Sequence, residues 1–499
     1  EGTRTVSNDD YIRETLLEWT ERELILQQLV GEHQLGPLEG DWRAMLAESR
    51  WEQPDRRDYI YRRSLSLDDA PLRFHQQKGA RRRFSDSNDT ITGLDLDLAL
   101  AVLDRERVAL ELQGGISVYD QERDSRVERY RFEPEPEVEL DQLPEAILDP
   151  DNVGDTLEVR DDTQDNDNYA GTASVTGTYL GLTFDWTEAL TVNAGLRREQ
   201  ADFAVRTFQA AGGGGPQEVA GAFEQSAALP GVSATWRFAE TMQLRGSWGR
   251  SLSRPMLNEL TPGRYFDPDS GAEFLGNPDL EPAEIDSLDA RWEWYPGSRD
   301  LLALGFFTKE YTNPLEESFV GVGGSAYLRR IQNAAGATVE GTEVTGMISL
   351  DSLVGWLGWQ AGWMEDLYLQ ANAAFIDSSV ELASQDLASS VDRPLQGQAD
   401  VVNNLQIGYE GERHQFNLAL NRVGERLMIA GIMGQPDVYQ EPVTYLDLSW
   451  RYALSDSWDL KFSAGNLLDT ETTLLQGGKI YRKSRDGRDF GLSTSYRFE

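Results

Sequence analysis

Three histidines, one acidic stretch and one tryptophan cluster are the side chains whose types could do chemistry. His33, His75 and His414 lie far apart, and none belongs to an H-E-x-x-H pair. The helical spacing that lets two imidazoles share a zinc ion is therefore absent. All three read as surface residues, with His414 in a turn. Gly477-Gly478-Lys479-Ile480 lacks the spacing of a phosphate loop, and no G-x-S-x-G elbow occurs. Asp149, Asp151, Gly154 and Asp155 superficially resemble a calcium loop. Val153 occupies a ligand position there, however, and Arg160 stands where the closing glutamate belongs. The stretch Glu133–Asp167 is read as a solvated acidic loop that gathers cations only loosely. Trp356, Trp359 and Trp363 could form a sugar-stacking platform, a helix stripe or part of a membrane-interface girdle, and the last reading is favoured. No catalytic residue, cofactor site or metal site is assigned, and the chain is read as a non-enzyme.

Composition narrows the class. The chain has 499 residues, no cysteine and a formal net charge of −39. Lack of cysteine excludes a disulfide framework and thiolate metal sites. The acidity argues against nucleic acid, which needs a basic face. No apolar run reaches the ~18 residues of a membrane helix. A mean hydropathy of −0.50 does not exclude a membrane barrel, because only alternate residues of its strands face lipid.

The elements are strands. Leu288, Ala290, Trp292 and Trp294 alternate with Asp289, Arg291 and Glu293, the period of two that gives a strand one apolar and one polar face. Leu302, Leu304 and Phe306 continue the pattern after the turn formers Pro296-Gly297-Ser298-Arg299-Asp300. Similar strands are expected at 91–100, 108–119, 169–186, 190–208, 229–238, 242–250, 327–350, 367–382, 393–410 and 416–428, and in the C-terminal segment around Leu446–Tyr452, Leu460–Ala464 and Phe490–Phe498. Residues 11–63 fit a helix or two strands meeting at Gly36-Pro37 equally well on pattern alone. Short turns near Glu188, Glu240, Ser298, Glu412 and Ser455 alternate with loops of very different length. A sandwich has no reason to place all its long loops at one end, whereas an outer-membrane barrel has short periplasmic turns and long extracellular loops. The expected fold is all-β, a transmembrane antiparallel barrel with about seventeen strands.

Several motifs carry a resemblance. Ser253-Arg254-Pro255, Glu259-Leu260, Gly276-Asn277-Pro278-Asp279-Leu280-Glu281-Pro282, the strand that follows, Arg393–Glu410 and Asn466-Leu467-Leu468-Asp469 occur in an order and spacing that resemble the TonB-dependent outer-membrane receptors. The match is good over 169–499 and loose over 1–168. The family has about 22 strands and a plug domain inside the lumen. The resemblance implies that this chain is the later part of such a barrel, without the plug, the TonB-contacting segment and roughly five early strands. Glu1 without a signal peptide fits a fragment or processed piece. Phe498 stands where the family carries the terminal aromatic read by the barrel-assembly machinery, although Glu499 follows it.

The implied activity is active transport. A scarce ligand of siderophore, cofactor, glycan or peptide type binds outside, and the TonB–ExbB–ExbD complex, acting on the plug, brings it into the periplasm. Implied surroundings are outer-membrane lipid of a Gram-negative cell. The alternatives are a passive porin or adhesin barrel, and a soluble all-β carbohydrate-binding protein. Arg197, Arg245, Arg291, Glu293, Asp447, Arg451, Lys461 and Arg497 are expected to line the lumen. Trp292, Trp294, Trp450 and Trp458 are expected to face lipid or its interface. The regions open to ligand are the loops at 130–168, 206–226, 256–284, 314–326, 383–397 and 429–443, with no single contact residue assigned.

Overall fold

The computed structural model describes residues 2–5, 10–64, 70–76, 78–210, 216–267, 272–321, 327–356, 358, 364, 366–382, 387–390 and 392–497. Strands dominate it, and a single antiparallel sheet holds nearly all the long ones. In chain order these are β1 (Asp10–Leu17 and Glu21–Leu35), β2 (Leu38–Ser64), β3 (Ala80–Arg105), β4 (Val108–Pro134), β5 (Tyr169–Trp186), β6 (Leu190–Ala210), β7 (Pro216–Ala239), β8 (Met242–Ser253) and β9 (Ala283–Trp294). They continue with β10 (Leu301–Thr312), β11 (Gly336–Ser349), β12 (Leu367–Glu381), β13 (Val401–Glu410), β14 (His414–Val423), β15 (Val443–Ser455), β16 (Trp458–Gly465) and β17 (Asp489–Tyr496). The two parts of β1 are collinear, since Leu17 pairs with Arg57 and Glu21 with Glu52 of the same neighbour. The seventeen strands agree with the expected count, and a four-residue segment, Gly2–Thr5, adds a further pairing beside β1. Among the described residues no ladder joins β17 to the first strand.

The strand reading of residues 11–63 holds over the helical one, with the hairpin tip at Gly36-Pro37. Gly36 has φ +66°, a conformation that carries no steric cost in glycine. Each strand is followed by its antiparallel neighbour, the connectivity that short turns permit. Pro54 cannot donate to the ladder, and the register slips by one residue between Gln53 and Arg56.

The two faces differ as the alternation requires. Leu94, Leu180, Leu196, Leu288, Phe306 and Leu492 lie on the outer face, with Leu180 75% and Leu492 73% exposed. Leucine exposed to this degree is expected against hydrocarbon rather than water. Aromatic rings collect where the strands meet the short turns. Trp186 and Trp236 are exposed there, His414 stacks at 4.6 Å on Tyr452 and at 6.0 Å on Trp450, and Trp458 meets Tyr496 edge-on at 6.4 Å. This is the interfacial belt of a membrane barrel. Of the three tryptophans proposed for it at 356–363, Trp356 ends a short helix, Leu350–Trp356, and Trp359 and Trp363 lie outside the described residues. Phe498 does so too.

Several expected boundaries move. The stretches 91–100 and 108–119 are only the membrane-crossing parts of strands of 26 and 27 residues. Their continuations are charged on both faces, which erases the hydrophobic period. Cross-strand pairs such as Arg123–Asp89 at 2.7 Å and Arg82–Asp55 at 2.8 Å run along them instead. The single strand expected over 327–350 is two, Tyr327–Asn333 and β11, divided at Ala334-Ala335. The one expected over 416–428 breaks at Gly424, leaving Arg426–Ile429 in a separate sheet. Regular pairing over 393–410 begins only at Val401.

The outward face generates a test. Leu180→Arg should lower the unfolding free energy in lipid vesicles by about 2–4 kcal/mol, while Asn193→Arg on the inner face should change it by less than about 1 kcal/mol. Urea titration followed by gel mobility of unheated samples reads both.

Candidate ligand-binding site

The inner face is polar along its membrane-crossing part. The residues expected there are on it, and all but Asp447 and Lys461 are joined in ion pairs among the described residues. Glu293 receives Arg291 at 2.9 Å, Arg245 at 3.4 Å and the Tyr295 hydroxyl at 2.7 Å. Arg197 and Arg254 share Glu199 at 2.6 and 2.7 Å. Arg451 and Arg497 share Asp459 at 2.6 and 3.4 Å. Asp447 accepts the Asn466 backbone N–H at 2.8 Å, and Lys461 stands opposite Arg451 in the register of β15 and β16.

Towards the long loops the inner face turns apolar. Tyr169, Ala173, Ala201, Phe203 and Val205 of β5 and β6 form a buried cluster, and Leu257, Leu260 and Leu280 of the β8–β9 loop pack onto it. The loop thus folds inward over the sheet. Two glycines admit it. A Cβ on Gly171 would press against Leu257 at 3.3 Å, and one on Gly221 would stand 2.5 Å from the Leu260 carbonyl oxygen. Arg254, of the Ser-Arg-Pro motif, donates to Glu199 and Gln225. Asn277, of the Gly-Asn-Pro motif, receives Arg330 and donates to the Ile331 carbonyl. These motif residues fasten the loop to the inner face and to the next loop.

The other loops interlock. Arg264–Asp267, Ala272–Leu275, Tyr327–Asn333 and Leu315–Gly321 form one four-stranded sheet, and Arg426–Ile429, Val438–Gln440, Glu471–Gln476 and Lys479–Arg485 form another. Arg393, 1% exposed, joins the 382–400 loop to Glu316, 6% exposed, at 2.8 Å. Gln396 accepts the Glu317 N–H at 2.9 Å. Ser390 donates to Asp437 at 2.6 Å. The loop at 466–488 was absent from the expected ligand regions. Its signal was Gly477-Gly478 between the strand formers Leu474-Leu475 and Ile480-Tyr481, the mark of a tight hairpin, and both glycines have positive φ.

The acidic stretch after β4 is anchored rather than wholly solvated. Ile147 and Leu157 are each 2% exposed, and Ile147 joins Tyr61, Phe74 and Ala80. Burial pushes the Tyr61 phenol up to about 12. Asp149 caps its own turn by accepting the Asp151 N–H, and Arg160 pairs with Glu133 and Glu158. His75 lies in the β2–β3 loop. Burial, with Arg62 and Lys78 nearby, holds its imidazole below the usual range. His33 accepts the Trp42 indole N–H.

Beneath the inturned β8–β9 loop lies a chamber of about 380 Å³, within the ~300–1,000 Å³ range of small-molecule sites. Its floor is the inner face of β2–β5, and Met256, Asn258 and Tyr265 of the loop close it from above. Arg123 holds Asp89 bidentately at 2.7 and 3.0 Å, and Gln121 donates to the same carboxylate at 2.6 Å.

A sheet with lipid-type leucines outside, an ion-paired inner face and folded loops at one end is the architecture of a receptor barrel. The family model for the TonB-dependent receptor-like β-barrel matches residues 27–467. The chain belongs to that family. The ferric-catecholate import receptor Fiu of E. coli K12 is similar at 12% identity and TM-score 0.58, covering 100% of this chain and 76% of that one. The ferric citrate transporter FecA is similar at 12% identity and TM-score 0.56, over 99% and 72%. The copper transporter OprC is similar at 14% identity and TM-score 0.56, over 98% and 72%. These likenesses show the fold. A search of curated proteins gives no match. TonB-dependent receptors are outer-membrane receptors and transporters rather than enzymes. No helix among the described residues is long and apolar enough to cross a membrane, and a barrel crosses with strands.

Two outcomes test the loop seating. Gly221→Val should unseat the β8–β9 loop and raise hydrogen exchange at Leu257–Leu260 at least tenfold, without altering exchange in β14–β17. Glu316→Gln leaves Arg393 buried without its counter-ion. A broken buried pair costs about 3–5 kcal/mol, so limited proteolysis should cut within 313–335 or 387–400 well before it cuts the wild type.

Proposed function

We propose that this TonB-dependent receptor barrel is the active-transport part of a receptor that takes a scarce solute from outside the cell into the periplasm. The single observation that supports it is the folded mouth. The β8–β9 loop packs an apolar wedge inside the sheet, and its neighbours are tied to one another by a buried ion pair and two loop sheets. Loops tied in this way present a preformed surface over a chamber, which reduces the ordering cost of binding.

The remaining parts follow from the family. The barrel, spanning 1–499 with its early part in 1–168, sits in the outer membrane of a Gram-negative cell among its lipids, placed there by the barrel-assembly machinery. The ligand binds at the mouth. A plug links the barrel to the TonB–ExbB–ExbD complex, whose proton-driven pull releases the ligand inward. The chain's own residues perform no covalent step.

Uptake in whole cells tests this. Cells expressing the complete receptor should accumulate one labelled solute from a panel of ferric chelates, cobalamin, haem and oligosaccharides. Accumulation should fall to the level of cells lacking the receptor when TonB is deleted. Accumulation that persists without TonB would replace this reading with that of a passive pore.

A further inference from the structure

The chamber under the β8–β9 loop has a chemistry that selects among ligand classes. Its floor is a lattice of inner-face residues fixed by strand register. One row runs Trp51–Ser87–Ser125–Tyr169 across β2, β3, β4 and β5. The adjacent row runs Ser49–Asp89–Arg123–Gly171 across the same strands. Hydroxyls therefore occupy the middle of the floor and aromatic rings its two ends, separated by three strand spacings or roughly 14 Å. Asn258 and the Tyr265 ring face this floor from the loop above.

Asp89, Arg123, Asp167 and Arg50 of this place are already matched, and Arg22 of β1 adjoins Trp51 in register. Asp89 is saturated by Arg123 and Gln121. Arg129 is held by Asp167 at 3.0 Å, and Arg50 by Glu52 at 2.8 Å. An anionic chelate would have to compete with these carboxylates for their arginines. Neutral hydrogen-bonding capacity, by contrast, is left over. Ser85, 6% exposed and lining the chamber, has a hydroxyl without a partner among the described residues. The Asn258 side-chain carbonyl and the Trp51 indole N–H are likewise without partners there. Buried polar groups left unpaired are costly, so a site that keeps several of them suits a ligand that supplies partners.

We infer that this chamber binds a neutral, hydroxyl-rich ligand of the sugar class. Trp51 provides an apolar face for the C–H side of a pyranose ring. Ser49, Ser87, Ser125 and Asn258 exchange hydrogen bonds with its hydroxyls. The floor accommodates one or two sugar units between Trp51 and Tyr169. The β8–β9 loop closes over them, so its motif residues Arg254 and Asn277 act as positioning residues rather than as contacts. The inference rests on the receptor reading above and assigns its substrate class.

The test uses the complete receptor in detergent on an array of neutral and acidic glycans, alongside ferric citrate and a ferric catecholate measured by calorimetry. At least one neutral glycan should bind. Trp51→Ala should weaken it by about tenfold or more, and Trp51→Phe, which keeps a stacking face, by about threefold or less. Ser87→Ala should weaken it severalfold with unchanged mobility of the unheated protein on a gel, which shows that the barrel is folded. Lack of binding to every neutral glycan overturns the inference, as does neutral-glycan binding that Trp51→Ala leaves intact in a folded barrel. TonB-dependent uptake of a ferric chelate without glycan binding would sink the sugar site and leave the transport reading standing. Glycan binding that Trp51→Ala abolishes, without TonB-dependent uptake, would do the reverse.

Discussion

A strand that crosses hydrocarbon has no water to satisfy its backbone, so each peptide group inside the membrane must find a partner on a neighbouring strand. The rest of this structure depends on that constraint. It demands long antiparallel ladders with few irregularities, and the ladders in turn fix which side chains meet. Register places Leu180 opposite Leu196 and, one residue away, Tyr179 opposite Arg197. One alternation thus makes the lipid surface and the polar inner wall together.

A membrane barrel cannot keep an ordinary core where its sheet crosses the bilayer, because the outer face is spent on lipid and the inner face on polar residues. The buried apolar cluster appears instead near the mouth, where Leu257, Leu260 and Leu280 meet Phe203 and Val205. There water is the solvent again and the hydrophobic effect can hold a loop in place. The membrane-crossing wall and the ligand-facing mouth are therefore stabilised by different forces. The first relies on ladder hydrogen bonds and lipid contact, the second on burial and ion pairs such as Arg393–Glu316.

Legibility in the sequence followed the same division. Where a strand crosses lipid, apolar and polar residues must alternate, and the pattern around Trp292 or Leu448 was plain. Above the membrane both faces meet water or charge, so the continuation of β3 and β4 past Gly93 and Tyr119 gave no period, although the ladder runs on unbroken. The inturned loop was visible as motifs, but Leu257, Leu260 and Leu280 are spaced irregularly among turn formers, and nothing local marks them as buried. The chamber was less legible still. Trp51, Ser87, Ser125 and Tyr169 are separated by 36, 38 and 44 positions, and only register brings them into one row. The inner-face arginines were found because each sits in an alternating strand. Their partners lie two residues along the same strand, as Glu199 for Arg197, or across a short turn, as Asp459 for Arg451.

The unequal lengths of the strands give the receptor a lopsided profile. β4 has 27 residues, roughly 90 Å along its axis and about 70 Å along the membrane normal at a tilt of ~40°. The hydrocarbon layer is only ~30 Å thick. β16 and β17 have eight residues each, about 20 Å along the normal at the same tilt, and rise no higher than the layer itself. The rim is thus a high parapet along β3 and β4 and low along β16 and β17, where the hairpin at 471–485 tops it. The outward face of the parapet carries Asp120, Glu122, Asp124, Arg126 and Glu128, all exposed. Whatever approaches along the membrane normal meets this mostly acidic parapet first.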